Sequence, residues 1–252
     1  MIEATESLAP CNDRVMVWQP PMAGLRYSIG VDAATGMGGD YTAMSVFTCI
    51  RPFEQVAWFW NNRVTTPEGS RVMLNLARWY NNALLVIETR YPGNAYQDNA
   101  LDPKFAGGKA YGNCYHRIQT LDEDPNMSSK FGICTTEADK HLLVNETKAL
   151  LENPEGPQFI LNDPITVAEF CNYVYVEDKN KMGAPTGAND DTVMSSMLAL
   201  HGCIRHPQAA IVQKPEFDES GSGYQKRLWT KELDIKRTGW KRPDAAHATS
   251  VL

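Results

Sequence analysis

Five apolar residues in a row, Ala83-Leu84-Leu85-Val86-Ile87, stop abruptly on a carboxylate, Glu88, and continue into Thr89-Arg90-Tyr91-Pro92-Gly93. A run so uniformly apolar has no polar face to offer water. As a strand it must be covered on both sides, the condition met where parallel strands are flanked by helices. The chain supplies such cover. Thr66-Pro67-Glu68 reads as a helix start, with a hydroxyl cap, a proline in the first turn and an acid at the positive end of the dipole. Val72, Leu76 and Trp79 follow at i, i+4 and i+7, and Met73, Ala77 and Tyr80 widen the stripe.

Upstream lie three strand-like segments: 26–33, ending in Gly30-Val31-Asp32; 41–50, rich in β-formers; and 55–64, aromatic and β-branched. Their short links favour an antiparallel meander. Downstream, Pro92-Gly93 opens another helix and 102–130 reads as loop-rich. Thr135-Thr136-Glu137 opens a helix carrying Leu142, Leu143, Leu150 and Leu151, which Asn153-Pro154 ends. Phe159-Ile160-Leu161 is a short strand, 166–173 a short amphipathic helix, 173–177 a further strand and 183–189 a turn cluster. Asp190-Asp191 then opens a helix with Val193, Met197, Leu200 and Ile204 at i, i+4, i+7 and i+11. The expected class is α/β: a mixed sheet with three antiparallel strands followed by parallel ones, flanked by helices. Residues 1–25 read as an N-terminal lead-in, 26–210 as the folded domain, and 211–252 as a linker with a flexible basic, aromatic tail.

Composition narrows the class of function. The 252 residues are 43% hydrophobic and 21% charged, which excludes a disordered or fibrous protein. No apolar run approaches the roughly 18 residues of a membrane span. The first residues lack a basic start followed by an apolar stretch, so no signal peptide is read and a soluble, intracellular protein is expected. The 6 cysteines form no Cys-x-x-Cys pair and point to reduced thiols rather than zinc or a disulfide framework. A formal charge of −6 argues against a polyanion partner, because binding nucleic acid needs cations at phosphates. The distribution is uneven, however. From Tyr224 to Leu252 there are 7 basic residues against 3 acids, leaving 17 against 27 in the rest of the chain.

Several acids stand out by position. Asp32 ends the first strand, Glu88 ends the most apolar one, and Asp190 and Asp191 open the last helix. Strand ends and helix starts are where open α/β sheets place their ligand crevice. Carboxylates gathered there repel one another, and one is forced to keep its proton unless a cation intervenes. Mg2+ or Mn2+ resolves the conflict, since hard cations take oxygen ligands. Taken singly, a strand-end Asp also serves as a turn former and an Asp pair as a helix cap. Glu88, on the end of its apolar run, resists such a reading best.

The motifs carrying these acids resemble those of a known family, the nuclease domain of viral large terminases, the DNA-packaging motors of tailed phages. Residues 28–46, with Gly30-Val31-Asp32, look like its first motif, and residues 85–95, with Glu88 and the Gly93 turn, its second. Residues 131–143 resemble its glycine, paired-threonine and lysine segment, and residues 187–195 its His-Asp-Asp segment. The four occur in family order. The resemblance implies a ribonuclease H-like fold and a DNA endonuclease site with two Mg2+ or Mn2+ ions. The family's catalytic and metal-binding acids fall on Asp32, Glu88, Asp190 and Asp191, with Asp40 matching a further, assisting acid. Asn189 stands in place of the family's His and cannot titrate near neutrality. Lys140 falls where a cation would meet the phosphate, or is a solvated lysine on a helix face. Implied partners are double-stranded DNA, a portal and a small terminase subunit, in the host-cell cytoplasm.

A packaging motor also needs a phosphate-binding loop for ATP. The nearest match, Ala106-Gly107-Gly108-Lys109-Ala110, lacks the leading glycine and the hydroxyl residue. The chain therefore reads as the nuclease portion alone. In 224–252, Tyr224, Trp229 and Trp240 interleave with Lys226, Arg227, Lys236 and Arg237, an arrangement suited to DNA contact, to docking on another packaging component, or to a solvated terminus. Two other readings stay open. Ile29-Gly30-Val31-Asp32 also resembles the first phosphate loop of actin-like ATPases and sugar kinases, and a non-catalytic DNA-binding packaging module would carry its acids as structure.

Overall fold

In the computed structural model the described residues are 15–117, 130–176, 181–185 and 187–208. The strands are β1 (Val15–Val17), β2 (Tyr27–Asp32), β3 (Thr42–Thr48), β4 (Phe53–Asn61), β5 (Leu84–Ile87), β6 (His116–Arg117), β7 (Lys130–Phe131), β8 (Phe159–Ile160), β9 (Val174–Val176) and β10 (Lys181–Gly183). The helices are α1 (Thr66–Trp79), α2 (Gly93–Leu101), α3 (Glu137–Leu151), α4 (Pro164–Asn172) and α5 (Asp191–Arg205). The main sheet runs in the order β1-β4-β3-β2-β5, with β8 pairing β4. β2, β3 and β4 form the antiparallel meander, and β5 lies parallel to β2. The chain divides into two units, Met1–Ala210 and Ile211–Leu252, and the second lies outside the described residues, as do Lys226, Arg227, Lys236 and Arg237.

Both faces of β5 are covered, as its composition requires. Leu85 and Ile87 join Ile29, Val31, Met73, Leu76 and Tyr80 on the α1 face. Leu84 and Val86 join Leu143, Val193, Met197 and Leu198 on the face of α3 and α5. Each fully buried Leu, Ile or Phe contributes about 1.5–3 kcal/mol relative to exposure. α5 lies unusually close to the sheet. A Cβ on Gly30 would sit 1.9 Å from the Ser195 carbonyl oxygen and 2.5 Å from the Ala199 nitrogen. Only glycine lets the helix backbone come this near.

Some segments differ from the sequence reading. Val15–Val17, within the stretch read as a lead-in, adds an edge strand through pairs such as Met16 with Trp58. Within the loop-rich stretch 102–130, His116–Arg117 forms a short antiparallel pair with Lys130–Phe131 at the stretch's end. α1 starts one residue earlier than its proline suggests, after Thr65, whose N–H donates to the Glu68 carboxylate at 3.1 Å. α4 starts at Pro164, because buried Asp163 caps it through the Thr166 N–H at 2.6 Å. Leu142 and Leu151 are exposed, whereas Leu143 and Leu150 are buried, so α3 turns one narrow stripe inward. Among the described residues no helix is long and apolar enough to cross a membrane, and the five described cysteines are free thiols.

Candidate metal centre

Strand parity brings the first two acids to one face. β2 and β5 pair in parallel with Val31 opposite Ile87, and the Glu88 N–H donates to the Val31 carbonyl at 2.9 Å. Alternation along a strand puts Asp32 on the side of Gly30 and Glu88 on the side of Val86. That is the side α5 packs against. Both acids are half-buried at the end of the sheet, and α5 begins with Asp190 and Asp191 beside them.

The electrostatics are those of a crowded carboxylate group. Burial pushes the Asp32 carboxyl well above the ordinary range, and Glu88, sharing a hydrogen bond with it, pushes it further; Asp191 and Asp190 add to the shift. Asp191 is pushed up to about 7, by burial first and then by Asp190, Asp40 and Glu169 against the Tyr41 amide. Asp40 itself is exposed, next to Tyr41. Among the described residues none of the four inner acids forms an ion pair with a lysine, arginine or histidine. Lys140, half-buried in the first turn of α3, makes none with them either. Asn189 is exposed just before Asp190.

Glu88, Asp190 and Asp191 each have a tether outside the acid group. The buried Thr135 hydroxyl donates to Glu88 Oε1. This is possible because Glu88 bridges to Ile133, and Gly132, with φ of 73°, turns the chain where a side chain would strike the Ile87 carbonyl. Tyr41 N–H donates to Asp191 Oδ2 at 3.2 Å, and the Tyr41 ring stacks on Trp60 with centroids 3.7 Å apart. Ala184 N–H donates to Asp190 Oδ2 at 3.3 Å. Glu169 on α4 accepts from the Thr192 N–H at 3.0 Å and from the Thr192 hydroxyl. Burial raises the Glu169 carboxyl above its usual range despite those bonds. The Tyr173 phenol is raised as well, by burial and by the charges of Asp190, Glu137 and Asp32.

Sequence reasoning assigns no role to Tyr41, Glu169 or Tyr173. Tyr41 is a β-former among others, and an acid on a short amphipathic helix carries no local sign of what it will touch.

The donor set is all carboxylate oxygen, which suits Mg2+ or Mn2+ and not a thiophilic ion. Among the described residues no three His, Cys, Asp or Glu side chains are close enough together to form a finished cage. Asp32 and Glu88 face one another while Asp190 and Asp191 are held by main-chain amides, so side-chain rotation is needed to gather all four on a cation. The chemistry of the residues fits the ion: mutual repulsion without a compensating cation is what a divalent metal relieves.

Comparison with solved structures finds chains of similar fold. The large terminase nuclease of thermophilic phage G20c with bound magnesium superposes with a TM-score of 0.56 at 21% identity, over 75% of this chain and 87% of that one. The same nuclease with bound cobalt gives 0.55 at 21% identity over the same shares. The Thermus phage P74-26 large terminase nuclease domain gives 0.51 at 20% identity, over 74% of this chain and 84% of that one. The fold is that of the phage large terminase nucleases. At these identities the likeness is one of fold. No protein-family model and no curated protein matches the sequence. The terminase-nuclease fold agrees with the mixed sheet expected from the sequence, an antiparallel meander joined to a parallel strand and flanked by helices.

Proposed function

We propose that the chain is a metal-dependent DNA endonuclease of the terminase kind, cutting concatemeric viral DNA during genome packaging. The observation that carries this reading is the convergence of Asp32, Glu88, Asp190 and Asp191 at one end of the sheet, with the carboxyls of Asp32 and Asp191 raised by burial first and by neighbouring acids second, and no compensating cation among the described residues. Solved structures of similar fold include phage large terminase nucleases, one of them with magnesium bound.

In this reading the four carboxylates hold two Mg2+ or Mn2+ ions, with Asp40 assisting from the neighbouring loop. Held there, such ions would supply the charge that activates a water and steadies the leaving oxygen of a phosphodiester. The residues do the rest. β2 and β5 fix Asp32 and Glu88 on rigid strands, and the Thr135 hydroxyl holds one Glu88 oxygen in place. The raised Asp32 carboxyl has to give up its proton before it can act as a ligand. Lys140 adds a positive charge for the phosphate, and Lys226, Arg227, Lys236 and Arg237 add DNA contacts from the tail. The substrate is double-stranded DNA, the partners are the portal and small terminase subunit of a packaging machine, and the setting is the host-cell cytoplasm.

The test is cleavage of supercoiled plasmid by the purified chain without ATP. Nicking and cutting that require Mg2+ or Mn2+, stop with EDTA and vanish in Asp32→Ala and Glu88→Ala are expected. Metal-dependent cutting that survives in pure Glu88→Ala protein would sink the site assignment. Tight DNA binding with no cleavage under any divalent metal would leave a packaging module instead.

A further inference from the structure

The first turn of α5 is capped from outside. Its N-cap residue is Asp190, a residue type well suited to capping its own helix. Yet the Asp190 side chain makes no capping bond. Its Oδ2 accepts from the Ala184 N–H at 3.3 Å instead. The amides of a helical first turn have no intrahelical acceptor and need one from elsewhere. Here the acceptor is Glu169, on a different helix: its Oε2 takes the Thr192 N–H at 3.0 Å and the Thr192 hydroxyl. Thr192 is fully buried, so these donors have no recourse to water if Glu169 is lost. The contrast lies within the same molecule. Thr136 caps α3 through the Asp139 N–H at 3.2 Å, and Asp163 caps α4 through the Thr166 N–H at 2.6 Å, each from its own N-cap position.

A carboxylate bent back over its own first turn cannot also face a cation in front of the helix. If Asp190 capped α5 in the usual way, one of the four candidate ligands would be spent. The geometry points to Glu169 as a positioning residue for the metal ligands: by capping α5 in trans it fixes the first turn and leaves both Asp190 and Asp191 to the divalent ion. This inference rests on the nuclease reading above. It also makes α4 a structural support of the site, since α4 carries both its own capping residue at one end and the cap of α5 along its length.

The experiment measures Mn2+ affinity of the full-length chain by calorimetry or by electron paramagnetic resonance, without DNA, together with thermal melting. Glu169→Ala should weaken Mn2+ binding about 10–100-fold, the range seen when partners that orient metal ligands are removed. Glu169→Gln, whose amide oxygen still accepts both bonds, should restore the wild-type affinity. Thr192→Val loses only the hydroxyl bond and should fall between them. Glu169→Ala that melts earlier but binds Mn2+ as tightly as the wild type would overturn the inference, because the cap would then be structural alone. Glu169→Gln as weak as Glu169→Ala would overturn it too, by showing that charge matters and capping does not. Should Glu169→Ala fail to fold, wild-type affinity in Thr192→Val is enough to reject it. A wild-type chain that binds no Mn2+ would remove the nuclease reading itself, and this inference with it.

Discussion

At the scale of single residues, the raised carboxyl of Asp191 makes a signed prediction about pH. Its folded value is pushed from 3.8 up to about 7. A carboxyl that binds its proton more tightly when folded stabilises the fold fully below its unfolded pKa, and this contribution is lost as pH rises through the folded value. The metal-free protein should therefore lose stability between about pH 4 and pH 7 through this group. Three pKa units correspond to about 4 kcal/mol, and solvent screening of a half-exposed carboxyl brings that nearer to about 2. Urea midpoints taken in EDTA across this range test it: Asp191→Asn should flatten the slope, and a variant with the wild-type slope contradicts the assignment. Thr135 gives a second prediction. Thr135→Val leaves Glu88 without its hydroxyl donor and should weaken Mn2+ binding about 10–100-fold, whereas Thr135→Ser, which keeps the donor, should not. Equal affinity in all three proteins would show that Glu88 needs no such support. Of these residues the sequence exposed Asp191 and Glu88, because an acid at the end of an apolar run or the start of a helix is visible locally. Thr135 lay within a recognisable segment without a role, since its partner is 47 positions away.

At the scale of elements, the position of the site depends on how closely α5 lies against β2. Gly30 meets the helix backbone itself, and backbone cannot rotate away. Gly30→Ala should displace α5 and cost about 1–3 kcal/mol or more, with loss of Mn2+ affinity because Asp190 and Asp191 move with the helix. Gly202 offers the contrast. An added Cβ there would lie 2.1 Å from the Ser28 Oγ, a side-chain atom with freedom to turn, so Gly202→Ala should cost less. Chemical denaturation of the two variants checks the order, and an equal loss would mean that the sheet yields as easily as a hydroxyl does. The elements themselves were legible where period and caps agreed: β2, β3, β4, α1, β5 and α5 all carry strong local patterns. The missed ones are short. β1, β6, β7 and β10 have three residues or fewer, and their order comes from partners elsewhere in the chain, such as Trp58 for Met16. A strand of that length has no period to read.

At the scale of the whole molecule, a formal charge of −6 looks hostile to a polyanion, and on the proposed nuclease reading its distribution matters more than its sum. Part of the acidic excess is four carboxylates at one end of the sheet, where on that reading each divalent ion would add +2 at the point a phosphate would approach. The basic excess lies after residue 223. DNA affinity on this view has two separable sources, one through metal and one through the tail, and they differ in their response to salt. Replacing Lys226, Arg227, Lys236 and Arg237 by Gln in the full chain should weaken DNA binding and make the log–log salt dependence shallower by about 0.9 for each phosphate that the tail no longer neutralises. Chelating the metal should weaken binding further in both proteins, because the site's own contribution does not depend on the tail. Fluorescence anisotropy on a labelled duplex, over a series of salt concentrations with Mg2+ replaced by Ca2+ to slow cleavage, separates the two. An unchanged salt slope in the four-residue variant would mean that the tail does not touch phosphate. Affinity indifferent to the divalent ion would mean that the carboxylates do not bring DNA to the site through metal.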